Sequence, residues 1–524
     1  MDEQLRLIWS RVLDCDPQEI DNDMNFFEFG GDSVKAIQVV AEAGSQNIWL
    51  DVEGLTTHPT IGSLSSYLSQ SARKGESRAP PKPQTSSYET YDTSIIEEPH
   101  ALRALAHRIA PIAPLQKRIL EHTEQRVLAP LIFVYELKGD VDEDKVVDAL
   151  KALTAKHSIL RTTWARSTMG YCQVLLHECE VLFSTMHGSI GDHIKECERT
   201  IFGLAEPIAR YALVYTDHGS TFLTITIHHA FNDAYSRTLL ERDLVRALRA
   251  PDDLKRDPTP PWFGDFSYYL VDHIDLPATL EYWRRYIGES TAEILYRTPS
   301  DLEGVGCIEQ VLHHRLDAGL QVGTSTVILA AWCLALASHS GLDDFVFLSA
   351  KMGRSLPYPG IDQILGPMLG VSVVRFRTPE RSCSTQKFLQ DILRESSRHG
   401  YYEGGMMPSV LRQLRPMQCQ LNIRLGTPGI PETRVTDELT ICHRRDLQPI
   451  DFIPQSGVYF GVDQHPEGLH FILRYQRKHV NDDRANSLFK NFARLLMHIS
   501  ASPADAPIGE LIKGVDNVGD GVQA

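Results

Sequence analysis

The sequence predicts two unlike folded units: a small all-helical bundle over residues 1–72 and, beyond a polar connector, a larger unit that mixes strands with helices. Three patterns carry that expectation. Apolar residues recur at helical spacing three times before residue 72, Ser, Pro, Gln and Lys dominate from Arg73 to about Glu98, and strand-like and helix-like stretches are interspersed from Ile109 to Ala501. The last pattern belongs to α/β and α+β folds, where sheets bury a face beneath helices. A chain of 524 residues has room for roughly two to four cores.

The first helical stripe is Leu5, Ile8, Trp9, Val12 and Leu13, and the second, Val34, Ile37, Val39 and Val40, starts right after Ser33. His58-Pro59-Thr60 introduces a third, carrying Ile61, Leu64 and Leu68 and ending near Ala72. Ala79-Pro80-Pro81-Lys82-Pro83 stiffens the connector, set at residues 73–108, where few side chains can build a core. Four prolines between Pro251 and Pro261 mark a seam in the larger unit, and the divide falls near Asp275, giving halves 109–274 and 275–505 with a tail at 506–524. Thr326–Ala337 is the longest apolar run; it is shorter than the roughly 20 residues a bilayer requires.

Hydrophobic residues at 42% and charged residues at 23% exclude wholesale disorder and fibrous classes. A formal charge of -16 disfavours nucleic acid, and the short Arg444-Arg445 cluster reads as solvated surface. Nine scattered cysteines, never in C-x-x-C spacing, predict reduced thiols and no metal site. The start, Met1-Asp2-Glu3-Gln4, has no basic leader. A cytoplasmic location away from membranes follows.

Phe26-Phe27-Glu28-Phe29-Gly30-Gly31-Asp32-Ser33 ends where the second helical stripe begins. Two glycines clear the backbone, Asp32 is placed to cap the helix, and Ser33 opens it at the positive end, where unpaired amides favour a phosphodiester. Taken alone, the tetrapeptide also fits an ordinary turn and cap. With the leucine-bearing first helix and His58-Pro59-Thr60-Ile61, it resembles a peptidyl or acyl carrier domain over residues 1–72. The resemblance implies a four-helix carrier whose Ser33 bears 4'-phosphopantetheine, attached by a phosphopantetheinyl transferase, with an acyl group on the thiol.

Thr221–Ile227 alternates as a strand and runs into His228-His229-Ala230-Phe231-Asn232-Asp233. Tyr235, Leu239, Leu240, Leu244, Val245 and Leu248 then recur at helical spacing, so Asn232 or Asp233 caps a helix and both histidines lie on the strand-to-helix turn. If the extended geometry persists, the imidazoles face opposite ways: one packs inward and the other faces a cavity. Taken alone, an H-x-x-x-D match reads more readily as two ordinary histidines beside a cap.

Three further segments, Ile112-Ala113-Pro114-Leu115-Gln116, Lys156-His157-Ser158-Ile159-Leu160-Arg161-Thr162, and Gly353-Arg354-Ser355-Leu356-Pro357 before Leu365-Gly366-Pro367-Met368, occur in the order of the condensation-domain motifs of nonribosomal peptide synthetases. Glu281-Tyr282-Trp283-Arg284-Arg285-Tyr286 fits too, and the resemblance covers about residues 109–500. It implies two chloramphenicol-acetyltransferase-like α/β subdomains in a V, with a tunnel meeting at the histidines. His229 matches the family's catalytic histidine, suited to a general-base role worth about 10²–10⁴-fold. His228 and Asp233 would support it, with Asp233 buried and ion-paired to Arg354. Ala234 replaces the motif's glycine, and its added methyl narrows the turn.

The resemblance implies acyl transfer from the arm on Ser33 to a small-molecule amine or hydroxyl acceptor, forming an amide or ester and releasing product, as in fungal release and ester-forming didomains. With no ATP motif, adenylation segment or G-x-S-x-G elbow in view, a separate acyl-loading enzyme is expected in trans. The rival expectation is a non-catalytic domain of the same fold that docks partner enzymes onto the carrier. Heterocyclisation is disfavoured because that branch carries aspartate at His228, and the glutamate-bearing motif of epimerisation is not found. His313-His314 lacks a following aspartate and reads as a polar strand surface.

Overall fold

The computed structural model describes residues 1–73, 92–124, 129–288, 303–313, 322–399, 419–425, 429–448, 457–465 and 468–513, apart from single positions 32, 47, 49, 169, 274, 355, 357 and 398. The first unit holds four helices: α1 (Asp2–Leu13), α2 (Ser33–Ser45), α3 (Val52–Thr57) and α4 (Ile61–Arg73). Their stripes converge on one core, where Leu5, Ile8, Val39, Val40, Ile61 and Leu64 are buried and Trp9 meets Phe26 edge-on at 5.0 Å. Asp32, the expected cap of α2, lies outside the described residues, but the helix does open at Ser33. Phe27 lies beside Gly323, ahead of the long helix of the second half, so the bundle rests against that half.

The larger unit is built on three sheets. A four-stranded sheet runs β1 (Ile96–Glu98), β4 (Thr162–Ser167), β5 (Gly170–Leu176), β2 (Ala106–Pro111). A six-stranded sheet runs β13 (Thr433–Arg434), β14 (Leu439–His443), β3 (Leu131–Gly139), β8 (Thr221–Ile227), β7 (Ala209–Tyr215), β6 (Leu182–His187). The third runs β11 (Gly370–Arg377), β10 (Asp344–Lys351), β12 (Cys419–Arg424), β15 (Val458–His465), β16 (Gly468–Gln476), β9 (Val305–Leu312). The helices around them are α5 (Leu102–Leu105), α6 (Pro114–Glu124), α7 (Glu143–Lys156), α8 (Ile190–Glu198), α9 (Ala234–Arg249), α10 (Pro251–Arg256), α11 (Phe263–His273), α12 (Leu276–Ile287), α13 (Thr324–Ser340), α14 (Thr385–Ser397), α15 (Asp482–Ala501) and α16 (Ile508–Ile512).

The predicted strand ahead of the histidines is β8, and helices cover it on both faces. Leu223, Ile225 and Ile227 join the core with Leu150, Leu153, Leu240 and Leu244, while Phe222 joins Ile132, Val134 and Ile194 on the other side. Thr224, within the strand, is satisfied there: its hydroxyl lies 2.9 Å from His193 Nε2. The apolar run Thr326–Ala337 forms most of α13, buried on nearly every side, with Trp332 stacked on Phe460 at 4.3 Å. Its hydrophobicity all round is that of a central core helix; among the described residues no helix is long and apolar enough to cross a membrane.

Several features depart from the sequence reading. Residues 92–108, grouped with the connector on composition, are largely folded, because β1 pairs with β4 and β2 with β5. The start of the tail is folded as well: Ile508 and Leu511 are buried, and Thr385 donates its N–H to Ala506 O. Arg444 and Arg445 are only half exposed. Arg444 holds Glu136 at 2.9 Å, and Arg445 reaches the buried Asp463 at 3.3 Å, so long-range carboxylates overturn the expectation of solvated surface. His313 is exposed one residue past β9 rather than on a strand, and His314 lies outside the described residues.

Candidate active site

Backbone geometry separates the two histidines. Strand β8 ends at Ile227, and His229–Phe231 wind into a 3₁₀ turn that His228 caps, its Nδ1 accepting from Ala230 N–H at 3.0 Å. The His228 ring is 1% exposed and sits among Trp164, Phe202 and Phe231, the first at 4.7 Å between centroids. Burial, followed by the neighbouring His229, pushes its pKa down to about 3. His228 is therefore neutral, and since Nδ1 accepts, its proton rests on Nε2. His229 is only half-buried. The two imidazoles are thus buried to different degrees, a difference produced by the 3₁₀ turn rather than by strand alternation.

Asp233 caps α9 by accepting from Ser236 N–H at 2.7 Å. Its other oxygen accepts from Met368 N–H at 2.8 Å, across 135 residues of chain. The Asp233 side chain is 7% exposed and Arg354 lies 3.5 Å away. The expected pairing thus exists, but two backbone amides are the closer partners. A buried carboxylate is satisfied as effectively by N–H groups as by a guanidinium.

Arg354 is fully buried and serves the turn from the other half. It donates to the carbonyls of Ile361 and Ile364 at 2.6 and 2.8 Å and to Ser236 Oγ at 3.1 Å, and it lies over the Tyr235 ring at 4.2 Å. Ser236 Oγ also donates to Gly366 O at 2.8 Å and accepts from Gly366 N–H at 2.9 Å. The first turn of α9 is therefore fastened to the 361–368 loop by side chains on both sides. Gly353 permits this fit: at φ +66, a Cβ there would lie 1.5 Å from Met368 O.

Sequence reasoning missed Ser236, Met368 N–H and Trp164 as members of the site. Ser236 reads as an ordinary first-turn serine, and a backbone amide has no signature of its own. Only Trp164, on β4 near the quoted Lys156–Thr162 motif, had a signal that could have drawn it in.

A second buried polar cluster lies behind the turn. Glu241, two turns along α9, accepts from Tyr135 Oη at 3.2 Å and sits 2.9 Å from His443 Nδ1. Burial lowers the pKa of His443 despite that carboxylate. His157, from the Lys156–Thr162 motif, contacts Asp243 at 2.9 Å and fixes α7 to α9. The motif's histidine is thus a strut for the helix that bears Asp233.

Residues 106–506 match the Condensation domain family, and residues 3–68 match the phosphopantetheine attachment site. Nonribosomal peptide synthetase 8 of Gibberella moniliformis is 27% identical over 555 residues, covering 98% of this chain and 99% of its own length. Nonribosomal peptide synthetase ALT12 of Alternaria alternata is 26% identical over 559 residues, with 98% and 99% covered. The condensation domain from the Monacolin K polyketide synthase MokA superposes with a TM-score of 0.61 at 13% identity, over 76% of this chain and 99% of that one, a likeness of fold. A phosphopantetheine carrier joined to a condensation fold matched over most of the length places the chain in the condensation-domain family of nonribosomal peptide synthetases, with acyl transfer as its class of activity.

Proposed function

We propose that the chain moves an acyl group from a 4'-phosphopantetheine arm on Ser33 to the hydroxyl or amine of a small-molecule acceptor, forming an ester or amide and releasing the product. The observation that carries this reading is the division between the two histidines: one ring is locked inward and neutral, the other half-buried on the same turn. The start of α2 suits a phosphodiester. Ser33 is the first residue of a 13-residue helix, and a Cβ on Gly31 would lie 2.4 Å from the Phe26 ring, so glycine is what lets the chain approach there. The arm, when attached, supplies a tether and an activated acyl carbonyl.

His229 takes the proton of the acceptor O–H or N–H as that atom attacks the acyl carbonyl. The new C–O or C–N bond forms, the C–S bond breaks, and His229 returns the same proton to the departing sulfur. The neutral His228 adds no positive charge beside an imidazole that is briefly cationic. Asp233, Ser236 and Arg354 hold the turn so that His229 keeps its aim. A separate enzyme supplies the acyl group.

Intact-mass measurement after treatment with a phosphopantetheinyl transferase and an acyl donor tests the reading. Ser33→Ala is expected to lose the mass gain and the transfer, and His229→Ala to keep the gain and lose transfer about 10²–10⁴-fold. Equal turnover by His229→Ala and the native chain overturns the catalytic assignment in favour of a docking role.

A further inference from the structure

Arg354 has no exposed surface, and a guanidinium stays charged even when buried. Its edge meets the carbonyls of Ile361 and Ile364 and the hydroxyl of Ser236, all of them neutral acceptors. Asp233, the carboxylate paired with it among the described residues, is 3.5 Å away and gives both oxygens to backbone amides, Oδ1 to Ser236 and Oδ2 to Met368. Arg354 Nε has no hydrogen-bond partner among the described residues. The edge contacts thus leave a buried charge one acceptor short and at the outer limit of its ion pair.

The face of the guanidinium is met by Tyr235, the second residue of α9, which is itself buried and lies with its ring centroid 4.2 Å from Arg354 Cζ. The far end of that ring is tied down, because Tyr235 Oη donates to Asp362 O at 3.2 Å. Burial, the largest cause, pushes the pKa of this hydroxyl up to about 12, so it remains a donor. Adjacent residues of a helix project in different directions. Ser236 and Tyr235 therefore clasp one guanidinium from two sides, Ser236 at its edge and Tyr235 over its plane. The face of an aromatic ring is its negative side, and its attraction for a cation is strongest where water is excluded.

We propose that Tyr235 is a positioning residue for acyl transfer: its ring face holds the Arg354 guanidinium flat against the first turn of α9, and through Arg354 it sets the turn that carries His229. The role rests on the reading of His229 as the group that moves the acceptor's proton. Tyr235 acts on Arg354 and not on the acyl group. Arg354 in turn holds the carbonyls of Ile361 and Ile364, and the hydroxyl of Tyr235 holds the carbonyl between them. A tilt of the guanidinium therefore moves the loop and the helix start together. A ring that served as packing alone could be exchanged for any ring of the same shape, whereas this role requires an electron-rich face.

The test replaces Tyr235 in the full chain by phenylalanine and then by phenylalanine bearing one, two or three ring fluorines, which keep the shape and make the face progressively less negative. Three readouts are taken: the urea midpoint, the His229 ring resonance assigned by its absence in His229→Ala, and transfer from an octanoyl-loaded arm to ethanolamine. Tyr235→Phe, which loses only the bond to Asp362 O, is expected to stay within about threefold of the native rate. Each added fluorine is expected to lower the midpoint, move the His229 resonance further and slow transfer, by about tenfold in all at the third. A resonance and midpoint level across the fluorine series overturn the proposal. So does a full loss already present in Tyr235→Phe, which would give the role to the hydroxyl. Transfer level across the series while His229→Ala has lost it overturns the positioning role alone. Transfer undiminished in His229→Ala overturns the reading beneath it, and the role falls with that reading.

Discussion

Asn232 is 2% exposed, and among the described residues neither its carboxamide oxygen nor its nitrogen has a hydrogen-bond partner. It lies between the 3₁₀ turn that bears His229 and the cap Asp233, in extended backbone at φ -145, ψ 152. An orphaned buried donor or acceptor costs about 1–3 kcal/mol, so this residue works against the stability of the fold. Asn232→Leu keeps the volume and removes both orphans. The expected result is a thermal midpoint higher by a few degrees, at about 2–4 °C per kcal/mol for a domain of this size. A lower midpoint would show that the carboxamide is satisfied in solution. Among the described residues His228 Nε2 is a second orphan on the same turn, and it is the atom that carries that ring's proton. Two unsatisfied polar groups side by side are the kind of local inconsistency that folds tolerate at functional sites and seldom elsewhere.

At the scale of elements, the fastening of α9 to the 361–368 loop depends on close backbone approach at Gly353. A methyl there meets Met368 O, and a positive φ adds strain for any other residue. Gly353→Ala is expected to push the loop away, break the Met368 N–H to Asp233 bond, and lower both transfer and the unfolding midpoint in urea. Transfer at the native rate would mean that the loop does not position the turn. The elements that were legible beforehand are those set by local pattern: β8 by alternation, α9 by its stripe and the Asp233 cap, α13 by its apolar run. Illegible were the contacts made by chain distant in sequence. Strand β14 comes from residues 439–443 yet adds to β3 in the sheet of the first half, with Ile441 opposite Leu137. No local periodicity encodes that choice, because it depends on which edge is free once the other strands are paired. The same holds for Arg445, whose partner Asp463 is on β15. A charge doublet reads as surface until a distant carboxylate is folded against it.

At the scale of the whole molecule, imidazoles held neutral by desolvation set the response to acid. His228 has its pKa pushed down to about 3 and His339 to about 4, both mainly by burial, and His157, His193 and His443 shift the same way for the same reason. In the unfolded chain these rings titrate near 6.5, so between the folded and unfolded values the unfolded state binds more protons. Stability is therefore full above about pH 6.5 and falls as the pH drops towards 4. At pH 5, His228 and His339 together account for a loss on the order of 4 kcal/mol, at about 1.36 kcal/mol per pKa unit. Carboxylates do not obscure this window. Glu241 and Asp463 have lowered pKa values and stay ionised at pH 5, so their own loss comes later, in stronger acid. The unfolding midpoint in urea is expected to fall steeply between pH 7 and pH 5. His228→Gln, which keeps an acceptor for Ala230 N–H and cannot be protonated, should flatten that fall by the share of one ring. A midpoint level from pH 7 to pH 5 in the native chain would mean that these imidazoles meet water in the folded state, His228 included. The turn would then lack the neutral ring against which His229 is set.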